Sequence, residues 1–100
     1  TSSSDEKLAR VKDLGLTHGI NYKTEDYEAR VAEITGKRGV DGVFEMLGGE
    51  HTAKSTRCLA ENGQIVIYGL ATGEQPKFDF MNMFHKNAGA HALWLARKEQ

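Results

Sequence analysis

The stretch Gln64-Ile65-Val66-Ile67-Tyr68 is the clearest β-strand in this sequence and decides the fold class. It is an unbroken, mostly β-branched run, which is typical of a buried strand in a parallel sheet. A second apolar run covers Val40 to Leu47 and is broken by Gly48 and Gly49. Helical patterns alternate with these runs, so the sequence predicts an α/β fold with a doubly wound parallel sheet and helices on both faces.

The other elements are predicted from spacing and from capping residues. In the first half we expect a helix that begins at Asp5 with a Ser3–Glu6 capping box, carries an apolar stripe of Leu8, Val11 and Leu14, and is capped by Gly15. A strand is expected from His18 to Tyr22. The next helix is expected to be capped by Thr24, to bury Tyr27, Val31 and Ile34, and to end at Gly36. In the second half we expect a helix from about Glu50 to Ala60, a turn at Glu61-Asn62-Gly63, a loop from Gly69 to Pro76, an apolar segment from Phe78 to Phe84 and a strand from Ala88 to Leu95.

The bulk properties exclude several classes of protein. One hundred residues make at most one small domain, and the formal net charge of −1 argues against a generally basic surface for nucleic acid. The four histidines and the single cysteine lack zinc-ligand spacing. Cys58 indicates a reduced structural thiol and a cytoplasmic setting. No apolar run is long enough to cross a membrane, so no membrane partner is expected. Because of the net charge, no nucleic-acid partner is expected either.

Ligands of open parallel sheets bind outside the carboxyl ends of the strands. Four predicted strand ends in this chain would share that edge: Ser2-Ser3, Leu47-Gly48-Gly49, Gly69-Leu70-Ala71 and Trp94-Leu95. Glycines after strands are common in loops, but glycines at two of these ends would let a ligand approach the backbone closely. We therefore expect a binding site at this edge.

The opening residues Thr1 to Ser4 precede a predicted helix and have the character of a strand end that faces an adenosine ribose. In dinucleotide-binding folds a carboxylate at that point selects NAD. Here Ser2 and Ser3 offer hydroxyl groups, and Lys7 follows about one helical turn later. Hydroxyls with a cation suit the additional 2′-phosphate of NADP, although a serine run before a helix is also an ordinary cap.

Several stretches together resemble the zinc-independent quinone oxidoreductases, the zeta-crystallin-like members of the medium-chain dehydrogenase/reductase superfamily. The resemblance lies in Thr1 to Lys7, Ile20-Asn21-Tyr22, Gly39 to Glu45, the Gly-Gly-Glu at 48–50, Cys58 to Gly63 and the Trp94-Leu95 ending. It implies a partial Rossmann-type domain in which Ser3, Lys7 and Tyr22 hold the 2′-phosphate of NADP(H). The cofactor-binding residues we expect are Ser2, Ser3, Lys7, Tyr22, Leu47, Gly48, Gly69, Leu70, Ala71, Trp94 and Leu95.

The resemblance also implies that residues 1–100 are the C-terminal two-thirds of a cofactor domain, without its Gly-rich phosphate loop and without the catalytic domain. It further implies an NADPH-dependent parent enzyme that passes hydride to a quinone or another α,β-unsaturated carbonyl. No catalytic or metal-binding residue is expected within the chain itself. We expect the isolated chain to be marginally stable, to rearrange, or to dimerise through a strand edge or the strand at Trp94, and to lack activity.

Two alternatives stay open at this point. The chain can be a structural or oligomer-forming module, or it can belong to an enoyl reductase or a zinc alcohol dehydrogenase of the same superfamily.

Other residues are weaker candidates for a functional site. His51 and His85 lack a visible carboxylate partner, Glu45 is expected to be solvated or hydrogen-bonded near a strand end, and Phe78, Phe80, Met81 and Phe84 are expected in a core or a subunit contact.

Overall fold

The computed structural model describes residues 1–93, so Trp94 and Leu95 lie outside the described residues. Within residues 1–93 there are four helices and three strands. In order they are α1 (Asp5–Val11), continued by a 3₁₀ turn (Lys12–Leu14), α2 (Tyr27–Ile34), β1 (Val40–Glu45), α3 (Glu50–Arg57), β2 (Leu59–Ile67), α4 (Phe80–Lys86) and β3 (Gly89–Ala92).

The three strands form one parallel sheet in the order β1-β2-β3, which confirms the predicted architecture. Val43 lies opposite Ile65, and Ile65 lies opposite Ala90 on the other side. The small core is centred on β2, where Leu59, Ile65 and Ile67 are buried. The central strand of the sheet therefore contains the β-branched run from which a buried strand was predicted.

Helix α3 lies against the sheet through small side chains. Its buried residues are Thr52, Ala53, Ser55 and Thr56, and the helix contacts both β1 and β2. Small side chains let the helix backbone approach the strands closely. They also place hydroxyl groups at the helix–sheet interface, where each needs a hydrogen-bond partner.

The first helix differs from the prediction in its cap and in its burial. Ser4, not Ser3, is the N-cap, because its Oγ accepts a hydrogen bond from the Lys7 amide. No residue of α1 is buried, and Val11 and Leu14 of the predicted stripe are 41% and 83% exposed. The predicted Gly15 cap is confirmed, with a left-handed φ of 106°.

The predicted strand from His18 to Tyr22 is reduced to a single parallel bridge between Ser2 and Asn21. The Ser2 amide donates to the Ile20 carbonyl at 2.9 Å, and the Tyr22 amide donates to the Ser2 carbonyl at 2.9 Å. Asn21 then ends the extended conformation, since its side-chain oxygen accepts from the Lys23 amide. Such a side-chain turn competes with strand pairing.

The cap of α2 is Asp26 rather than Thr24. The Asp26 carboxylate accepts hydrogen bonds from the amides of Glu28 and Ala29. Thr24 instead belongs to the preceding turn, where its amide donates to the Asn21 carbonyl. Both residue types are good caps, so the sequence pattern alone could not separate them.

The segment between α3 and β2 is shorter than predicted. The helix ends at Arg57, three residues before Ala60, and Leu59 already pairs with Val40. The predicted turn at Glu61-Asn62-Gly63 lies within β2 as an irregularity, because the next pair is Gly42 with Gln64. The left-handed φ of 64° at Asn62 accommodates this extra length.

The apolar segment from Phe78 to Phe84 does not form a core among residues 1–93. Phe80, Met81 and Phe84 of α4 are 68%, 58% and 68% exposed. Met83 is the side chain of this helix that packs against the core cluster. That a subunit contact covers the exposed side chains stays a prediction.

Thr52 provides a test of the packing of α3. It is fully buried, and its hydroxyl has no hydrogen-bond partner among the described residues. Replacing Thr52 with the isosteric Val should raise the free energy of unfolding by about 1 kcal/mol, since an unsatisfied buried hydroxyl is costly. Chemical denaturation would measure the change.

Thr56 is the matched control for this substitution. It is also fully buried, but its hydroxyl donates to the Ala53 carbonyl at 2.7 Å. Thr56→Val should therefore lower the free energy of unfolding by about 1 kcal/mol. A Thr52→Val variant that is as unstable as Thr56→Val would contradict the packing described for this helix.

Candidate functional site

The Ser2–Asn21 bridge sets the geometry of the candidate site. It places Tyr22 beside the Ser2-Ser3 segment, although the two are far apart in sequence. Ser2, Ser3, Lys7 and Tyr22 all line one cleft of about 530 Å³. The residues that the sequence analysis assigned to the 2′-phosphate therefore lie together in the structure.

Lys7 is the cation of this cleft. Its side chain is exposed, and none of the ion pairs formed among residues 1–93 involves it. The neighbouring carboxylates are engaged elsewhere: Glu6 pairs with Arg10 at 2.7 Å, and Asp5 accepts a hydrogen bond from the Asn21 side chain at 3.1 Å. The ammonium group of Lys7 is therefore free to attract an anion into the cleft.

The opposite wall of the cleft comes from β1 and the turn that follows it. Phe44, Glu45, Met46 and Leu47 line this wall, so Leu47 shares the cleft with Lys7 and Tyr22. Phe44 is 77% exposed although it lies within a strand. The cleft thus combines a polar end with a cation and an apolar wall.

The other predicted edge residues do not line this cleft; they are Gly48, Gly69, Leu70 and Ala71. The loop after β2 is hydrogen-bonded to the turn after β1. The Ala71 amide donates to the Met46 carbonyl at 2.7 Å, and the Thr72 amide donates to the Leu47 carbonyl at 3.0 Å. The two predicted strand ends therefore meet, as a shared carboxyl edge requires.

Gly48 requires glycine for a reason that the sequence did not reveal. Its φ is +86°, and an added Cβ would lie 2.5 Å from the Glu74 carbonyl oxygen. The backbone that approaches Gly48 so closely belongs to the loop after β2, and not to a ligand. Contact of Gly48 with a cofactor stays a prediction.

A polar network in the wall of the cleft was not predicted. Glu45 is only 4% exposed, so it is hydrogen-bonded rather than solvated. One of its carboxylate oxygens accepts from the Leu47 amide at 2.9 Å, and the other accepts from the Ser55 hydroxyl at 2.7 Å. The Tyr27 hydroxyl lies 3.3 Å from Ser55 and donates to the His51 carbonyl at 2.8 Å.

Burial governs the protonation of two side chains in the cleft wall. Desolvation raises the pKa of Tyr27 to about 12, and the charge of Glu45 acts in the same direction. Desolvation also raises the pKa of Cys58 to about 11, with Glu28 as the next cause. Both groups are therefore neutral at physiological pH.

His51 is partly buried between two aromatic rings. Its ring meets the Tyr22 ring edge-on at 5.6 Å and stacks on Tyr27 at 6.4 Å. Among the described residues its Nδ1 atom has no hydrogen-bond partner. His51 therefore supports the position of Tyr22 by packing.

Two further observations limit the chemistry of residues 1–93. They contain no group of three or more His, Cys, Asp or Glu side chains placed to hold a metal ion. Within the same range, no helix combines the length and apolar character that crossing a membrane requires.

Comparison with known proteins gives one family. The family model described as "Zinc-binding dehydrogenase" matches residues 1–100. A 2-haloacrylate reductase from Burkholderia sp is 42% identical over 73 residues, which are 73% of this chain and 22% of that protein. The quinone oxidoreductase-like protein 2 homolog of Nematostella vectensis is 33% identical over 93 residues, which are 93% of this chain and 26% of that protein.

Solved structures agree with this assignment. The crystal structure of a 2-haloacrylate reductase matches with a TM-score of 0.84 and 33% identity, covering 95% of this chain and 30% of that one. A quinone oxidoreductase of Pseudomonas syringae pv. Tomato matches with a TM-score of 0.81 and 28% identity, covering 95% of this chain and 30% of that one. The chain thus spans about a quarter of the length of the curated relatives quoted above.

Cys58 tests the electrostatics of the cleft wall. Because its pKa is raised from 9.0 to about 11, its thiolate fraction at pH 8 should be about 100-fold smaller than that of an ordinary thiol. Iodoacetamide should therefore alkylate the native protein at least that much more slowly than the urea-unfolded protein, followed by mass spectrometry at this residue. Similar rates in both states would show that the thiol is neither buried nor held neutral.

Proposed function

Because the chain belongs to the zinc-binding dehydrogenase family, within the medium-chain dehydrogenase/reductase superfamily, we propose that it binds the adenosine end of NADP(H) in a quinone-reductase-like oxidoreductase. The parent protein would deliver the hydride of the cofactor to a quinone or another α,β-unsaturated carbonyl. The observation that carries the proposal is the cleft in which Ser2, Ser3, Lys7 and Tyr22 meet.

The donor set of this cleft suits a phosphate dianion. Lys7 supplies a compact positive charge, and the hydroxyl groups of Ser2, Ser3 and Tyr22 supply neutral donors. Charge-assisted hydrogen bonds of this kind are about twice as strong as neutral ones. A carboxylate at Ser2 or Ser3 would instead accept the ribose hydroxyls of NAD and repel the 2′-phosphate.

The turn after β1 would receive the remainder of the cofactor. Leu47 lines the same cleft, and the loop that carries Gly69, Leu70 and Ala71 is hydrogen-bonded to this turn. An extended nucleotide could therefore run from Lys7 along the carboxyl edge of the sheet. This chain's part in the reaction would be binding and orientation, while the nicotinamide supplies the hydride.

The names of the relatives support the reaction class. They include a reductase of 2-haloacrylate and quinone oxidoreductase-like proteins, which suggests conjugated carbonyl compounds as substrates. The described residues offer no ligand set for zinc, and the proposed role needs none. The site would serve equally in an enoyl reductase, so the substrate itself is proposed only as a class.

The choice of NADP(H) can be tested at Lys7. In the full-length protein, Lys7→Ala should raise KM for NADPH about tenfold, because the 2′-phosphate loses a charge-assisted hydrogen bond. KM for NADH should change less than twofold, since NADH has no phosphate at this position. Steady-state kinetics with both nucleotides measure the difference.

Lys12 offers a matched control for the change of charge. It lies on the 3₁₀ turn that continues α1, is exposed and does not line the cleft. Lys12→Ala should leave both KM values unchanged. Equal effects of Lys7→Ala on NADPH and NADH, or an effect of Lys12→Ala as large as that of Lys7→Ala, would contradict the assignment.

A further inference from the structure

Glu45 is a buried carboxylate without a cation. It is 4% exposed, and no ion pair formed among residues 1–93 includes it. Burial of a charge is costly unless hydrogen bonds compensate for the lost water. The compensation here comes from the Leu47 amide and the Ser55 hydroxyl.

The directions of the hydroxyl protons in this network favour an acceptor at position 45. Tyr27 has one hydroxyl proton and directs it to the His51 carbonyl at 2.8 Å. The Ser55 proton is directed to Glu45 at 2.7 Å, so no proton remains for the 3.3 Å contact between Tyr27 and Ser55. A carboxylate, which only accepts, gives both of its partners an acceptor at once.

These bonds connect three elements at one point. Glu45 is the last residue of β1, Ser55 lies on α3, and Tyr27 is the first residue of α2. The bond from the Leu47 amide folds the chain back onto Glu45 immediately after the strand ends. The backbone of the Leu47–Gly49 turn is thereby tied to α3 through side chains.

We propose that Glu45 is a positioning residue of the cofactor site, which holds the Leu47–Gly49 turn on α3 through its bonds to the Leu47 amide and the Ser55 hydroxyl. The inference rests on the function proposed above, because it assumes that this turn contacts the nucleotide. It assigns Glu45 and Ser55 a role in binding that does not require either side chain to touch the cofactor.

The proposal predicts a pattern that differs from that of Lys7. The turn lies on the strand side of the cleft, where the part common to NADPH and NADH would bind. Loss of the bond between Glu45 and Ser55 should therefore weaken the binding of both nucleotides by the same factor. Loss of the Lys7 side chain should weaken the binding of NADPH alone.

The experiment measures dissociation constants for NADPH and NADH by fluorescence titration of the full-length protein. Ser55→Ala removes the bond between strand and helix and should raise both constants about fivefold, equivalent to one lost hydrogen bond. Glu45→Ala also removes the bond to the Leu47 amide, so it should raise both constants at least as much. Glu45→Gln can still accept from the Leu47 amide while its NH₂ group donates to Ser55, whose own proton can turn to the Tyr27 hydroxyl oxygen 3.3 Å away. This variant should therefore restore binding to within twofold of the wild type. If Glu45→Ala fails to fold, Ser55→Ala tests the same bond.

Thr56→Val is the matched control, because it removes a buried hydroxyl from the same helix that is not bonded to β1. It should lower the thermal midpoint without changing either dissociation constant. Three results would each overturn the positioning role. Ser55→Ala could bind the nucleotides like the wild type, Thr56→Val could weaken binding as much as Ser55→Ala does, or Glu45→Gln could bind as poorly as Glu45→Ala. Failure of the wild type to bind either nucleotide would instead overturn the proposed function, and this inference with it.

Discussion

The parallel pairing of β1 with β2 is the constraint on which the rest of the structure depends. It places Val43 beside Ile65, which is completely buried, and it sends both strands to the same edge of the sheet. Only because they end together can the loop after β2 donate hydrogen bonds to the Met46 and Leu47 carbonyls after β1. The shared edge then offers backbone and side chains to a ligand at one place.

A second, much smaller pairing completes the candidate site. The two backbone hydrogen bonds around Ser2 bring Tyr22 to Lys7, and this bridge stands apart from the three-stranded sheet. The cleft lies between the bridge and β1, and the exposed Phe44 lines it. Strands of parallel sheets are normally covered on both faces. The proposal that this chain forms part of a larger cofactor domain would account for such an exposed face.

The sequence predicted the features that depend on local pattern. Residues 64–67 of the β-branched run lie in the central strand, which begins earlier, at Leu59, and the predicted helices near residues 5, 27 and 50 are present. The expected family is confirmed as well. Caps were less predictable. Ser3 and Ser4 are the same residue type, and Thr24 and Asp26 can both cap a helix, so only the backbone decides between them.

Features that depend on long-range contacts were not predictable. The bond between Glu45 and Ser55 requires a turn and the start of a helix to bring together residues that are ten apart in sequence. Val11 and Leu14 show the converse, because helical spacing identified an apolar stripe that residues 1–93 do not bury. Periodicity reports which face of a helix is apolar, but not what lies against it.

The central claim is that one nucleotide lies along the carboxyl edge from Lys7 to the turn at Leu47. A crystal structure of the full-length protein with NADP⁺ tests it most directly. The account predicts the 2′-phosphate within hydrogen-bond distance of Lys7, Ser3 and Tyr22, and the rest of the same molecule against the backbone of Leu47 and Gly48. A nucleotide bound elsewhere, or with its 2′-phosphate away from Lys7, would contradict the account.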